Sequence, residues 1–190
     1  KEINIFDASI INLAVDEIIA WKKYRTIKGA IKLHANYNLS RGIPTFVNIT
    51  NGDTSDYTGL DTDTGKYADN IVVADRGYLD VGWLADCDSN NVTFVIRSKK
   101  NLKLKVSGQH PNGGQIVAFE TPASSEKYPG ELRLVEVHDE EQKRTYQLLT
   151  NNNSYPEETI GKLYKARWEI EIFFKWLKQN LKIKTFFGTS

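Results

Sequence analysis

The chain has 190 residues, 40% of them hydrophobic, enough for one α/β domain with a real core and too many for wholesale disorder. Lys plus Arg number 25 and Asp plus Glu 24, so the net charge of +1 identifies no partner. No apolar run approaches the length of a membrane-spanning helix, and Lys1 to Asp7 lack the apolar core of a secretory signal.

The single cysteine, Cys87, excludes an internal disulfide and a multi-cysteine zinc site, and it fits a reducing, cytoplasmic compartment. Methionine is absent even from position 1, as expected of a piece excised from a longer protein. Glu2 to Phe6 alternates polar and apolar residues and reads as a strand with Asp7 at its C-terminal end. Ala30 to Tyr37 and Thr45 to Thr50 are two further strands, the second rich in β-branched residues. Asn51-Gly52-Asp53 is a turn, and the acidic, Thr-rich stretch to Asp69 is a loop with room for a short helix. Ile71 to Ala74 is a short continuous apolar run, the pattern of a strand covered on both faces, and Asp75-Arg76-Gly77 follows at once. Tyr78 to Ala85 reads as a short helix and Val92 to Ile96 as another buried strand.

From Lys103 to Gln147 short alternating segments are punctuated by Asn112-Gly113-Gly114 and Pro129-Gly130, the signature of a β-meander. Tyr146 to Leu149 returns to the main sheet, Asn151 to Pro156 links, and Glu157 to about Gln179 forms the one long helix. Pro156 suits its start, and Glu157 and Glu158 sit where the helix dipole favours acids.

Charge is unevenly placed. Between Asp53 and Asp69 five acids face Lys66 alone, whereas Arg97, Lys99, Lys100, Lys103 and Lys105 run without an acid. Seven bases and two acids lie between Lys162 and Lys184. Two basic segments in a neutral chain are compatible with a polyanion partner or with two solvated faces.

On the final helix, at about 100° per residue, Tyr164, Arg167, Glu171 and Lys178 share an arc of roughly 60°. They border an apolar stripe of Leu163, Ala166, Ile170, Phe174, Leu177 and Leu181. Taken alone the quartet also reads as an i,i+4 ion pair beside a snorkelling lysine. Trp168, Ile172 and Trp176 form a second apolar strip, suited to burial under another segment or to a dimer or DNA contact. His34 and His138 lie on strands without a partner at metal spacing, His110 lies in a turn, and Cys87 reads as structural.

The spacing Tyr164-x2-Arg167-x3-Glu171-x6-Lys178 resembles the Y-x2-R-x3-E-x6-K signature of a large group of bacterial insertion-sequence DDE transposases. The blocks TFVNITNG, VVADRGYLD, FVIRSKKN and LYKARWEIEIFFKWLKQNLKIKTFFGTS are similar to that group in the same order, from about Ile3 to Ser190. Ala8 departs from it, since Ser more often follows the first acid.

The resemblance implies an α/β fold with an RNase H-like core, a mixed sheet flanked by helices, and an inserted β-strand subdomain. Residues 1–102 and 148–190 would form the core and 103–147 the insertion. It implies that Asp7, Asp75 and Glu171 are the catalytic, metal-binding acids, and that Tyr164, Arg167, Lys178 and Arg97 hold DNA. Two Mg²⁺ ions, with Mn²⁺ as a substitute, would then serve phosphoryl transfer on double-stranded DNA, both transposon ends and target. A homodimer assembled on DNA is expected of the full-length protein, with no membrane association. The alternatives are a catalytically inactive, transposon-derived DNA-binding domain and a metal-free glycosidase using a carboxylate pair.

Overall fold

A computed structural model describes residues 1–12, 30–140 and 143–180. Nine strands form one sheet: β1 (Ile3–Asn12), β2 (Ala30–Asn38), β3 (Ile43–Asn51), β4 (Ile71–Ala74), β5 (Thr93–Arg97), β6 (Leu104–Gln109), β7 (Gln115–Phe119), β8 (Leu132–Asp139) and β9 (Arg144–Thr150). Four α-helices join them: α1 (Val81–Ser89), α2 (Pro122–Lys127), α3 (Glu157–Lys165) and α4 (Trp168–Asn180). The strand order is β3-β2-β1-β4-β5-β9-β8-β7-β6, with β1, β4 and β5 parallel and the remaining pairings antiparallel. This is the mixed sheet expected of an RNase H-like core.

Side-chain alternation along the strands divides the core into two layers. Phe6, Val72, Phe94 and Leu149 point to the face covered by Trp83, Leu84 and Cys87 of α1 and by Tyr128 at the end of α2. Their neighbours Ile5, Val73, Val95 and Leu148 point to the opposite face, under Ile160 and Tyr164 of α3 and Ile170 and Phe174 of α4. The apolar run of β4 is accordingly buried at every position.

Four differences from the sequence reading have identifiable causes. The first strand does not stop at Asp7, because Asp7 to Asn12 continue in antiparallel register against Ala35 to Ala30 of β2. The short helix expected over Tyr78 to Ala85 is a 3-10 turn at Arg76–Tyr78 followed by α1, which starts where the Asp80 carboxylate accepts the Trp83 N–H. Within the meander, α2 had no expected counterpart; Thr121 caps it by accepting the Ser124 N–H, and Pro122 occupies its first position. The single long helix is two, since after α3 the backbone tightens to i→i−3 bonds, Arg167 N–H to the Tyr164 carbonyl at 3.1 Å and Glu169 N–H to the Ala166 carbonyl at 3.1 Å.

The meander strands extend the core sheet edge to edge: β9 pairs with both β5 and β8, as expected of its return. Gly113 and Gly114, at φ of 89° and 78°, turn the chain between β6 and β7, a conformation that a side chain resists. The fully buried Arg133 of β8 ties this turn to the linker. It donates to the Gly113 carbonyl at 2.7 Å, to the Tyr155 carbonyl at 2.5 Å and to the Asn112 carbonyl. Among the described residues no helix is long and apolar enough to cross a membrane.

Candidate active site

The middle of β1, the end of β4 and one helix bring the three acids to one cleft. Phe6 and Ala74 are the last partners of the parallel β1–β4 register, and the residues that follow them, Asp7 and Asp75, line the same cleft. Alternation turns Asp7 to the face covered by α3 and α4, because Ile5 and Ile11, at even spacing from it, belong to that layer. Glu171 comes from α4, one residue beyond the buried Ile170. Asp7, Asp75 and Glu171 line one cleft of about 700 Å³ together with Ser9, Arg167, Lys175 and Lys178.

The acids are compensated by cations and a hydroxyl of the chain itself. Arg167 bridges two of them, its Nη1 lying 2.8 Å from Asp7 Oδ2 and its Nη2 2.6 Å from Glu171 Oε1. Arg167 Nε is buried and without a hydrogen-bond partner among the described residues. Asp7 Oδ1 accepts the Ala8 N–H at 2.9 Å. Burial pushes the Asp7 carboxyl up to about 6 from the usual 3.8, against the opposing pull of Arg167. The same neighbouring acids hold the Arg167 guanidinium firmly charged despite its burial. At Asp75 a single oxygen, Oδ1, accepts the Tyr164 hydroxyl proton at 3.0 Å and faces Arg97 Nη1 at 3.5 Å. Among the described residues Asp75 Oδ2 takes no hydrogen bond.

Of the residues expected to hold DNA, Lys178 and Arg167 line the cleft. Tyr164 is only 7% exposed, and its hydroxyl is spent on Asp75. Arg97 stacks on Tyr146, its Cζ 4.7 Å from the ring centroid, while reaching Asp75. Ser9 and Lys175 line the cleft as well, and no motif marks them; Lys175 follows Glu171 by one helical turn, a spacing that points to the same cleft. No motif marks Tyr146 either.

Trp168, Ile172 and Trp176 are 40%, 58% and 56% exposed, so the second apolar strip is open. His34 is buried and paired with Thr50 Oγ1 at 2.8 Å, His138 is exposed, and burial pushes the Cys87 thiol up. Leu181, Lys182 and Lys184 lie outside the described residues.

Three carboxylates converging on one cleft are the hard oxygen donors that a divalent cation requires. Yet among the described residues no three His, Cys, Asp or Glu side chains stand close enough to share an ion. The Arg167 guanidinium stands between Asp7 and Glu171, paired with both. The chemistry of the donors, all carboxylate oxygens, is that of a divalent-ion site.

A putative transposase y4zB of Sinorhizobium fredii is 28% identical over 188 residues, covering 94% of this chain and 52% of that protein. A probable transposase for insertion sequence element IS5377 of Geobacillus stearothermophilus is 26% identical, covering 100% of this chain and 51% of that one. The chain thus spans about half the length of the curated relatives it matches. Among solved structures, a piggyBac transposase synaptic complex with hairpin DNA superposes with a TM-score of 0.48 at 11% identity, over 96% of this chain and 41% of that one. The family model described as Transposase DDE domain matches residues 1–188, and the chain belongs to that family.

Proposed function

We propose that this chain is the catalytic unit of an insertion-sequence transposase that cuts double-stranded DNA at transposon ends and joins the freed 3′-hydroxyl to target DNA. What carries the proposal is the convergence of Asp7, Asp75 and Glu171 on one cleft whose other charged lining residues, Arg167, Lys175 and Lys178, are all cations. Acids suited to a divalent ion beside cations suited to phosphate match phosphoryl transfer and not glycoside hydrolysis. Residues 1–102 and 148–190 supply the core and every one of these groups, and residues 103–147 form the insertion.

Asp7, Asp75 and Glu171 are the oxygen ligands for two Mg²⁺ ions, with Mn²⁺ able to replace them. Bound ions supply Lewis-acid activation of the attacking oxygen and stabilisation of the leaving oxygen in an in-line displacement at phosphorus. Lys175 and Lys178 bind the backbone on either side of the reacting phosphate, and Arg167 exchanges Asp7 and Glu171 for a phosphate through its two parallel N–H groups. With water as nucleophile, its oxygen bonds to phosphorus as the P–O3′ bond breaks, and the water's proton leaves while the departing oxygen takes one up, giving a 5′-phosphate and a free 3′-hydroxyl. With that hydroxyl as nucleophile, its oxygen bonds to a target phosphorus as the target P–O3′ bond breaks, joining the end to target DNA and releasing a target 3′-hydroxyl. The full-length protein acts as a homodimer assembled on the two ends.

The test uses the full-length protein and a labelled duplex carrying the inverted repeat that flanks its own coding sequence. Asp75→Asn and Glu171→Gln are expected to lower Mg²⁺-dependent cutting by about a hundredfold or more while duplex binding persists. Variants that cut as the wild type does would sink the proposal. Binding without cutting by the wild type itself would favour an inactive DNA-binding domain.

A further inference from the structure

Asp75 is held through one oxygen by two groups, and both of those groups meet a third residue that no motif marks. Tyr146, on β9, is 9% exposed and belongs to the buried layer under α3. The Arg97 guanidinium lies over its ring at 4.7 Å from the centroid. The Tyr164 ring packs beside it at 5.7 Å between centroids, inclined by 51°. Arg97 in turn stands 3.5 Å from Asp75 Oδ1, and the Tyr164 hydroxyl donates to the same atom at 3.0 Å.

The register explains why the three meet. Arg97 pairs with Leu148 across the β5–β9 ladder, so Tyr146, two residues before Leu148 and on the same face, is its diagonal neighbour. The Ser98 N–H to Gln147 carbonyl bond, at 2.7 Å, fixes that end of the ladder. An arginine side chain has many rotamers, and a flat aromatic face restricts the guanidinium to the plane above it.

We propose that Tyr146 is a positioning residue for Asp75: its ring is the platform that fixes Arg97 and Tyr164 on Oδ1, leaving Oδ2 for the ligand. It does not touch the reacting atoms. Because β9 also pairs with β8, Val137 opposite Tyr146, the platform ties the meander to the acid cleft. This role rests on the catalytic use of Asp75 proposed above.

The test measures single-turnover cutting of the same duplex by the full-length protein with Mg²⁺, as a rate at saturation and a half-saturating DNA concentration. Tyr146→Leu is expected to slow the saturated rate by about tenfold or more with half-saturation changed less than about twofold. Tyr146→Phe, which keeps the ring, restores the rate to within about threefold. Arg97→Gln slows cutting similarly, and the double variant Tyr146→Leu/Arg97→Gln is no slower than about twofold below the slower single one, since both act on one unit.

The proposal is overturned if Tyr146→Leu cuts like the wild type, if it weakens DNA binding without slowing the saturated rate, if Tyr146→Phe is as slow as Tyr146→Leu, or if the single losses multiply. If Tyr146→Leu melts early, Arg97→Lys carries the test. It keeps the charge without the flat guanidinium, and the same loss of rate at unchanged half-saturation is expected, normal cutting being the contrary result. A wild type that does not cut overturns the functional proposal and the positioning role with it, whereas a cutting wild type with a normal Tyr146→Leu overturns the positioning role alone.

Discussion

Arg167, in the turn between α3 and α4, reaches Asp7 on β1 across 160 positions of sequence, Nη1 to Oδ2 at 2.8 Å. The same guanidinium reaches Glu171 one turn along its own helix, at 2.6 Å. Two acids that would repel each other in a shared, half-buried cleft are thereby held together by a cation belonging to the chain. Asp7 and Glu171 are thus paired from within the chain, and the divalent ion proposed for this cleft would have to compete with Arg167.

That competition makes a first prediction. Arg167→Ala leaves two partly buried carboxylates uncompensated and should cost the ion-free protein about 3 kcal/mol. Millimolar Mn²⁺ should then raise the melting temperature of the variant more than that of the wild type, because the ion takes over the vacated role. Equal shifts in the two proteins would show that Arg167 does not stand in the ion's place.

Asp7 supplies the second. Burial pushes its carboxyl up to about 6, against an ordinary 3.8. Between those values the folded chain holds the proton more tightly than the unfolded chain. The Asp7 contribution is therefore fully present below about pH 4, is lost as pH rises toward about 6, and is level above it; the span is on the order of 2–3 kcal/mol. His34, whose pKa burial lowers, slopes the opposite way but is common to wild type and variant. Denaturant midpoints followed from pH 4 to 7 should show a fall in the wild type that Asp7→Asn removes, and parallel curves would refute the assignment.

Much of this was legible in the sequence because the signals were local. The apolar run of β4 and the acid after it, the Asn112-Gly113-Gly114 turn and the four-residue signature on the final helices each fit within a few turns of chain. Helical spacing alone misled where a distant contact decided the outcome. It placed Tyr164 on the polar border, whereas the residue is buried with its hydroxyl on Asp75, 89 positions away. It drew one helix where the backbone tightens at Arg167, the residue tied to β1. Tyr146 was invisible for the same reason, since only the β5–β9 register makes it a neighbour of Arg97.

Arg133 gives a third prediction. It is wholly buried and donates to the Gly113 and Tyr155 carbonyls at 2.7 and 2.5 Å and to the Asn112 carbonyl, joining the β6–β7 turn to the start of α3. Arg133→Met keeps the apolar stem and removes the donors, so the carbonyls lose partners away from water. Charged hydrogen bonds of this kind contribute about 1.5–3 kcal/mol each, and the variant should lose at least about 3 kcal/mol of unfolding free energy by denaturant titration. A loss below about 1 kcal/mol would mean that water or a local shift replaces the guanidinium.

The fourth prediction separates phosphate binding from acid positioning on neighbouring helices. Lys178 lines the cleft, half-buried beside Lys175, whereas Tyr164 is buried and committed to Asp75. A lysine that neutralises one phosphate releases about one counterion, so Lys178→Ala should weaken duplex binding and reduce the slope of log affinity against log salt by about 1. Tyr164→Phe keeps the ring, removes only the hydroxyl, and should leave both affinity and slope unchanged while slowing cutting. Lys127→Ala, on α2 at the opposite face of the sheet, is the charge control and should alter neither. If Tyr164→Phe instead lowers affinity with the cutting rate at saturation intact, the hydroxyl serves DNA and not Asp75, and the buried arrangement opens when the duplex binds.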